Sequence, residues 1–209
     1  MKNFEIIQHP IIKREVSILR DKKTSNNIFR VSLKRLSIFM AYEVAKKFQL
    51  KKFQIETPIT KTLGFDLKEN IILVPVLRAG LGMVDGFLEV FPNAKVGHIG
   101  LSRNEKTLEP IDYYFKVPKQ IDKSIVILLD PMLATGGSAN AALNFLKKNG
   151  AKKIIYVCLF ASPFGIKKIL TLQNDIKIFT ASKDLKLNKS GYIIPGLGDA
   201  GDRIFGTDD

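Results

Sequence analysis

Two kinds of hydrophobic pattern divide the chain near residue 70. Before it, apolar residues recur at helical spacing behind a polar stretch, residues 24–27, that can cap a helix. The recurring residues are Ile28, Val31, Leu36, Phe39, Met40, Val44 and Phe48. This spacing predicts an amphipathic helix that ends near Lys51 and Lys52. The next segment, FQIETPIT, carries Pro58 and predicts an edge strand or a hairpin.

After residue 70, short apolar runs alternate with segments of helical pattern. The runs NIILVPVL, KVGHIGL, SIVILLD, IIYVCLF and DIKIFTAS predict strands, and the alternating IDYYFKV predicts another. The segments RAGLGMVDGFLEVF, GGSANAALNFLKKNG and PFGIKKILTL predict helices, the second of which stops at Gly150. Strands that are apolar on both faces and alternate with helices predict an α/β fold with a parallel sheet.

The composition is typical of one globular domain. The chain has 209 residues, of which 45% are hydrophobic. Its single cysteine, Cys158, excludes an internal disulfide and lies in an apolar run, where a buried and unreactive thiol is expected. Charges interrupt the N-terminal segment, and no apolar run is long enough to cross a membrane. The expected compartment is therefore the cytoplasm.

The net charge is the unusual feature of the composition. A formal charge of +13 suggests either nucleic-acid binding or an anionic substrate. The excess is mainly lysine and occurs as pairs that are spread along the chain. This distribution favours a solvated surface over a dedicated basic patch.

The segment IVILLDPMLATGGSAN carries the strongest chemical signal. It predicts a strand that ends at Asp130, a short loop, and a helix that opens at residues 135–138. Ligands bind at the carboxyl ends of parallel strands, and a helix start offers free N–H groups, so this is a candidate phosphate site. It lacks the lysine of the P-loop and the glycine spacing of the dinucleotide motif. An ordinary strand–turn–helix in which Asp130 or Ser138 caps the helix is the alternative.

This segment resembles the phosphoribosyl pyrophosphate (PRPP) loop of the type I phosphoribosyltransferases. Most members carry two adjacent acids at the strand end, whereas this chain has Pro131 in the second position. That form resembles the uracil phosphoribosyltransferase branch. Further landmarks of the branch follow in order: His9-Pro10, PVLRAGLGM at 75–83, RNE at 103–105, TLEP at 107–110 and YIIPGLGDAGDR at 192–203.

The resemblance implies transfer of the 5-phosphoribosyl group of PRPP to N1 of uracil, which gives UMP and pyrophosphate. Asp130 and Arg103 are the implied catalytic residues: Asp130 opposes positive charge on the ribose, and Arg103 binds pyrophosphate from a polar loop, residues 103–118, that closes over the substrate. The implied PRPP-binding residues are Arg78, Arg103, Asp130, Pro131, Met132, Leu133, Ala134, Thr135, Gly136, Gly137, Ser138 and Asp199. The implied uracil-binding residues are Ile193, Gly198, Asp199 and Ala200.

Several further properties follow from the resemblance. Gly80 and Gly82 are expected to let the backbone approach the pyrophosphate beside Arg78. Magnesium is expected to be held mainly by PRPP, with no protein ligand assigned. The implied assembly is a homodimer or homotetramer, and activation by GTP, as in some relatives, is left open. The implied fold is one domain over 1–209, with a core at about 66–185 and a small hood from 1–65, including the mid-chain hairpin, and 186–209.

Three residues depart from the usual pattern of the branch. Ser102 replaces a common aromatic residue, Lys106 replaces a common acid, and Phe164 follows the proline where an acid often stands. None is an expected ligand, and the departures bear on the kinetics of the polar loop.

Two other functions remain open: a phosphoribosyltransferase for another base, such as hypoxanthine or orotate, and a PRPP-binding regulator of RNA without turnover. The tail favours uracil over other bases, and the intact loops favour catalysis over regulation.

Overall fold

The computed structural model describes residues 3–103 and 110–207. At residues 102, 103 and 110–113 it describes the backbone alone. The helices in this part of the chain are α1 (Pro10–Arg20), α2 (Asn26–Ala45), α3 (Leu81–Val90), α4 (Gly137–Lys148), α5 (Pro163–Leu172) and α6 (Ala200–Phe205). The strands are β1 (Phe4–Ile6), β2 (Leu50–Glu56), β3 (Lys61–Leu67), β4 (Asn70–Leu77), β5 (Lys95–Val96), β6 (His98–Arg103), β7 (Pro110–Lys116), β8 (Ser124–Leu129), β9 (Met132–Leu133), β10 (Lys153–Ala161), β11 (Lys177–Lys183), β12 (Lys186–Leu187) and β13 (Ile193–Ile194). Within these ranges, no helix combines the length and apolar character that a bilayer span requires.

Nine of the described strands form one mainly parallel sheet. Its order is β1-β11-β10-β8-β4-β6-β7, with β5 beside β4 and β9 beside β10. The pairings are parallel except that of β6 with β7, at one edge. The predicted α/β fold with a parallel sheet is confirmed.

Helices cover both faces of this sheet. On β8, Ile127 and Leu129 belong to a hydrophobic cluster that includes residues of α1, α2 and α3. Val126 and Leu128, which alternate with them, belong to a second cluster with residues of α4 and α5. All four side chains are fully buried. The strand is continuously apolar because both of its faces lie in the core.

The predicted amphipathic helix is α2, but its end differs from the prediction. The helix ends at Ala45 rather than near Lys51, which belongs to β2. The N–H of Lys46 bonds to the carbonyl of Glu43 as the helix closes. The predicted helix is too long because Phe48 continues the apolar spacing beyond the last helical turn.

The sequence pattern does not predict α1, which packs beside α2. Its N-cap is His9, whose Nδ1 accepts the N–H of Ile11 at 3.2 Å, and Pro10 occupies the first turn. Residues of α1 and α2 share one hydrophobic cluster with β4, β8 and β10, and β1 joins the edge of the sheet. The division into a core at about 66–185 and a hood from 1–65 and 186–209 stays a prediction.

The hairpin of β2 and β3 lies outside the main sheet. Every residue of β2 is exposed. Large apolar side chains are exposed on both strands and on the connecting turn: Leu50, Phe53, Ile55, Ile59, Leu63 and Phe65. An exposed apolar surface of this kind is typical of an interaction site.

The chain connections diverge between β4 and β8, which are neighbours in the sheet. From β4 the chain passes through α3 to β6 on one side, and from β8 it passes through α4 to β10 on the other. Such a divergence opens a crevice at the carboxyl ends of the strands, where open α/β sheets bind ligands. Arg78 and Asp130 are the residues that follow these two strands.

Candidate active site

A cavity of about 350 Å³ lies at the divergence of β4 and β8. Its lining includes many of the predicted PRPP-binding residues: Arg78, Asp130, Met132, Leu133, Ala134, Thr135, Gly136, Gly137, Ser138 and Asp199. Pro131 is not in the lining. It is buried, and its carbonyl accepts the N–H groups of Leu159 and Phe160, each at 3.0 Å. Pro131 therefore joins the start of the loop to β10.

Among the described residues that line the cavity, Arg78 carries the cationic side chain. It follows Leu77 through a cis peptide bond. Its Nη2 donates to Asp202 Oδ1 at 2.9 Å, and its Nη1 donates to Thr207 Oγ1 at 3.3 Å. The Thr207 hydroxyl and the guanidinium hold the pKa of Asp202 below its usual value. Because 56% of the Arg78 side chain is exposed, the guanidinium is accessible to an anion while α6 orients it.

Asp130 lies half-buried beside the cavity. Oδ1 accepts the N–H of Met132 and Oδ2 accepts the hydroxyl of Tyr156, both at 3.3 Å. Burial raises the pKa of Asp130 from 3.8 to about 6, although both hydrogen bonds act in the opposite direction. The N-cap of α4 is Gly136, so the alternative in which Asp130 or Ser138 caps this helix is wrong.

The loop between β8 and α4 rests on Ser162, the N-cap of α5. Ser162 Oγ donates to the carbonyl of Ala134 at 2.6 Å, and its N–H donates to the carbonyl of Leu133 at 2.9 Å. Gly165 must lack a side chain here, because a Cβ would lie 2.5 Å from the Ala134 oxygen. Gly136 adopts a left-handed conformation, with φ of 73°. The first turn of α4, whose N–H groups have no acceptors within the helix, thereby lines the cavity.

Gly80 and Gly82 have close packing contacts, and the role expected for them beside the pyrophosphate stays a prediction. Neither lines the cavity. A Cβ at Gly80 would collide with the carbonyl of Leu129, and one at Gly82 would collide with the side chain of Leu33. Both glycines therefore allow the start of α3 to pack closely against its neighbours.

The C-terminal segment is held by an ion pair between distant parts of the chain. After the cis bond between Ile194 and Pro195, the N–H of Gly196 donates to Asp184 Oδ2 at 2.8 Å. The Gly196 carbonyl accepts Arg20 Nη1 at 2.8 Å, and Arg20 also forms two hydrogen bonds with Asp184. The side chain of Asp184 is 2% exposed. The pair therefore fixes both backbone polar groups of Gly196.

The four predicted uracil-binding residues lie in this segment. Ile193 and Ala200 are buried, whereas Gly198, with φ of 85°, and Asp199 are exposed. Asp199 lines the cavity and the other three do not. Its carboxylate also caps α6 by accepting the N–H of Asp202 at 3.0 Å. The C-terminal segment thus meets the cavity at Asp199 and, one residue beyond the predicted set, at Gly201.

Apart from Phe164, the remaining predicted positions lie next to residues 104–109 or within them, and these six residues are outside the described part of the chain. Arg103 is the last residue of β6, opposite Pro110, but its side chain and that of Ser102 lie outside the described residues, as does Lys106. The strand predicted from IDYYFKV is confirmed as β7 (Pro110–Lys116), which lies within the 103–118 segment. That strand stays in the sheet because it pairs along β6. Closure of the 103–118 segment over the substrate stays a prediction. Phe164 is exposed in the first turn of α5.

Within residues 3–103 and 110–207, no three His, Cys, Asp or Glu side chains are grouped so that they could hold a metal ion. The carboxylates at the cavity are those of Asp130 and Asp199. An environment of few protein oxygens is compatible with Mg²⁺ that keeps substrate oxygens and water as its ligands.

Comparison with known proteins agrees with this geometry. The family model described as uracil phosphoribosyltransferase matches residues 6–207. The chain belongs to the uracil phosphoribosyltransferase family. A relative from Streptococcus salivarius, named uracil phosphoribosyltransferase, is 52% identical over 208 residues, which cover 99% of this chain and 100% of the relative.

Solved structures place this member of the uracil phosphoribosyltransferase family in a wider fold group. The AQ2163 protein from Aquifex aeolicus is 42% identical, with a TM-score of 0.91 and 97% of each chain covered. A hypoxanthine phosphoribosyltransferase from Trypanosoma cruzi, solved with IMP, has a TM-score of 0.53 over 76% of each chain. At 10% identity, that second likeness shows the fold alone.

Four residues that sequence reasoning missed support the site in this family member: Arg20, Tyr156, Ser162 and Asp184. The Ser-Pro pair at 162–163 is a recognisable helix start, but it gives no sign of the contact with the loop. The phenol of Tyr156 is a polar group within an apolar strand, which signals a buried partner without naming it. Arg20 and Asp184 offer no local signal, because each acts on a distant segment.

Proposed function

We propose that this protein transfers the 5-phosphoribosyl group of PRPP to N1 of uracil and releases UMP and pyrophosphate, a pyrimidine salvage reaction. The observation that carries this function is the cavity in which Arg78, Asp130 and the first turn of α4 meet. PRPP is a ribose that carries a phosphate at one end and a pyrophosphate at the other. A matching site therefore needs cations or N–H donors for both phosphate groups and a carboxylate beside the ribose between them. Membership of the uracil phosphoribosyltransferase family supports uracil as the acceptor.

PRPP is proposed to bind through residues 130–138, Arg78, Arg103 and Asp199. The first turn of α4 supplies N–H donors and the positive end of a helix dipole to a phosphate. Arg78 binds pyrophosphate, with Arg103 as the second arginine. Each charge-assisted hydrogen bond of this kind contributes about 1.5–3 kcal/mol.

Asp130 is proposed to stabilise the transition state. The bond from C1′ of the ribose to the pyrophosphate oxygen breaks as the bond from N1 of uracil forms, with inversion, and the N1 proton of uracil passes to the released pyrophosphate. Positive charge grows on the ribose ring during this exchange, and an ionised carboxylate opposes it. With a pKa of about 6, Asp130 is largely ionised at neutral pH.

Base recognition is proposed for the peptide groups around Ile193, Gly198, Asp199 and Ala200. Uracil presents the N3–H between two carbonyl oxygens, an edge that backbone groups of a turn can match. Gly196 lies between these residues, and its N–H and carbonyl are bound by Asp184 and Arg20 respectively. This support favours one fixed backbone path for reading the base.

Magnesium is proposed to enter with PRPP, held by oxygens of the substrate and by water. When bound, it supplies positive charge that stabilises the departing pyrophosphate. No protein side chain is assigned as its ligand. The polar groups of the chain then act on PRPP itself, with Arg78 fixed by Asp202 and Thr207.

The assembly is proposed to be a homodimer or homotetramer in which the β2–β3 hairpin contacts a second copy of the chain. Its exposed apolar side chains support this proposal, since an isolated two-stranded hairpin is marginally stable in water. Light scattering of the purified protein measures the assembly directly, and a monomer at micromolar concentration would contradict it. The proposed compartment is the cytoplasm, in keeping with the free, buried thiol of Cys158.

The test of the function is turnover of labelled uracil with PRPP and MgCl₂. UMP should form, and cytosine should react about 10⁴-fold less well, because it lacks the N3–H and presents an amine in place of a carbonyl. Hypoxanthine and orotate are assayed in parallel. Preference for either would indicate another base, and binding of PRPP without any nucleotide product would indicate a regulator.

A further inference from the structure

Tyr156 places a polar group inside the core beneath the cavity. Its side chain is fully buried on β10, in the hydrophobic cluster that includes Leu128, Ala139 and Leu143. A phenylalanine would fill nearly the same volume without a buried hydroxyl. The Tyr156 hydroxyl donates to Asp130 Oδ2 at 3.3 Å. The phenol ring therefore lies among apolar side chains, and its hydroxyl contacts the carboxylate of Asp130 at the end of β8.

The register of the sheet produces this contact. Tyr156 pairs with Leu128 across the parallel strands β10 and β8, so the phenol points along the strands toward Asp130. The N–H of Asp130 bonds to the carbonyl of Val157, which fixes the backbone next to the carboxylate. Since Met132 occupies the other oxygen, the two hydrogen bonds together define the orientation of the carboxyl group.

We propose that Tyr156 is a positioning residue for Asp130, which it holds in one orientation and in the ionised form needed for phosphoribosyl transfer. The proposal rests on the catalytic role proposed above for Asp130. A hydrogen bond donated to a carboxylate stabilises the charged form relative to the neutral one. Tyr156 therefore partly offsets the cost of keeping a carboxylate in a half-buried place.

The other groups near Asp130 do not replace this contribution. Met132 offers a backbone N–H from within the same loop. The Cys158 thiol on the same strand stays neutral, because burial raises its pKa to about 12. Arg78, after the neighbouring strand, is bonded to an acid of α6, and the first turn of α4 carries no acid.

The variant Tyr156→Phe removes only the hydroxyl, and its effect is read from the pH dependence of kcat/KM for PRPP. Loss of the hydrogen bond should move the acid limb to higher pH by about 0.5–1 unit. When each profile is divided by its own plateau, kcat/KM at pH 6 should be about threefold lower in Tyr156→Phe than in the unaltered protein. PRPP titrates identically in both assays, so the difference between the profiles belongs to the protein.

Cys158→Ala is the matched control, because it changes another fully buried side chain on the same strand and face. It should leave the acid limb where the unaltered protein has it. If Tyr156 had a merely structural role, Tyr156→Phe would lower the plateau value of kcat/KM, and the pH of the acid limb would not change.

A direct titration separates this proposal from the proposed function. NMR of protein labelled with ¹³C in the aspartate carboxyl groups measures the pKa of Asp130 without substrate. The pKa should rise in Tyr156→Phe by the amount seen in the rate profile and should not change in Cys158→Ala. A rise without a change in the rate profile would support the contact and contradict the role of Asp130 in the reaction. A pKa within 0.2 units of that of the unaltered protein would overturn the proposal.

Discussion

Arg20 and Asp184 bind Gly196 from two sides, although α1 and the residue that follows β11 are far apart in sequence. Arg20 donates to the carbonyl of Gly196 and Asp184 accepts its N–H, so the two members of one ion pair hold the two successive peptide groups of this residue. Gly196 follows Pro195, which has a cis peptide bond, within the segment proposed to read the base. We therefore expect the pair to affect recognition of the base, although neither residue lines the cavity.

Arg20→Lys should raise KM for uracil about tenfold and leave KM for PRPP within twofold. Lysine keeps the charge but lacks the planar fork that binds Asp184 and Gly196 together. Steady-state kinetics with each substrate varied in turn measure the split. The control is Lys147→Arg, at an exposed ion pair with Asp175, which should change neither constant. Equal increases in both constants would contradict a specific action on the uracil segment.

Arg78→Lys should show the opposite split. The ammonium group cannot make both contacts that the guanidinium makes with Asp202 and Thr207 and still face an anion. KM for PRPP should rise by about 10–100-fold, while KM for uracil at saturating PRPP should change little. Calorimetric titration with pyrophosphate alone provides an independent readout. Unchanged pyrophosphate affinity would remove Arg78 from the proposed anion site.

Asp130→Asn should lower kcat by about 10²-fold or more, with a smaller effect on PRPP binding. The amide keeps the shape of the side chain and an oxygen for the N–H of Met132, but it cannot oppose charge on the ribose. Single-turnover kinetics at saturating PRPP measure the chemical step. A variant with an unaltered rate would show that the carboxylate has a structural role only.

The same substitution should stabilise the fold at neutral pH. The pKa of Asp130 is about 6 in the folded state and 3.8 in the unfolded state. Its contribution to stability is therefore fully present below pH 3.8 and is lost as the pH rises through 6. Asp130→Asn should be about 1–3 kcal/mol more stable at pH 7.5, and the difference should disappear near pH 4. Urea denaturation at both pH values tests the sign, and an advantage that persists at pH 4 would contradict it.

RNA binding should be weak and independent of sequence. The net charge of +13 comes largely from lysines spread along the chain, and the sequence has no tryptophan to stack on bases. Dissociation constants for unrelated RNAs should be about 10⁻⁶ M or weaker at physiological salt and should rise steeply with salt. Titrations at two salt concentrations measure this. Tight binding of one RNA at physiological salt would instead favour the regulator.

The sequence predicts the parts of the site that are local in the chain. A strand, an acid, a loop and a helix occur consecutively from β8 to α4, so the hydrophobic pattern and the glycines are sufficient to place them. The apolar run of β4 likewise predicts Arg78 at the end of a strand. Because the carboxyl ends of neighbouring parallel strands meet at one edge, Arg78 and Asp130 could be expected to line one cavity.

The contacts that support the site could not be predicted in this way. The bond between Tyr156 and Asp130 depends on the register of β10 against β8, which the apolar sequence of either strand leaves undetermined. Asp202 reaches Arg78 from a helix near the C-terminus. The packing role of Gly80 and Gly82 is another such contact, because it depends on neighbours in α2 and β8. Such relationships require the positions of several elements at once.

The burial of Pro131 limits how this site could be redesigned. The residue's carbonyl joins two N–H groups of β10, and the residue itself is shielded from water. An aspartate engineered at this position, to copy the two adjacent acids of other phosphoribosyltransferases, would be a desolvated group one position from a carboxyl that is already hard to ionise. It would bind a proton in preference to a cation. A two-acid version of this enzyme therefore requires a new backbone path after β8, and a single exchange of side chains cannot provide it.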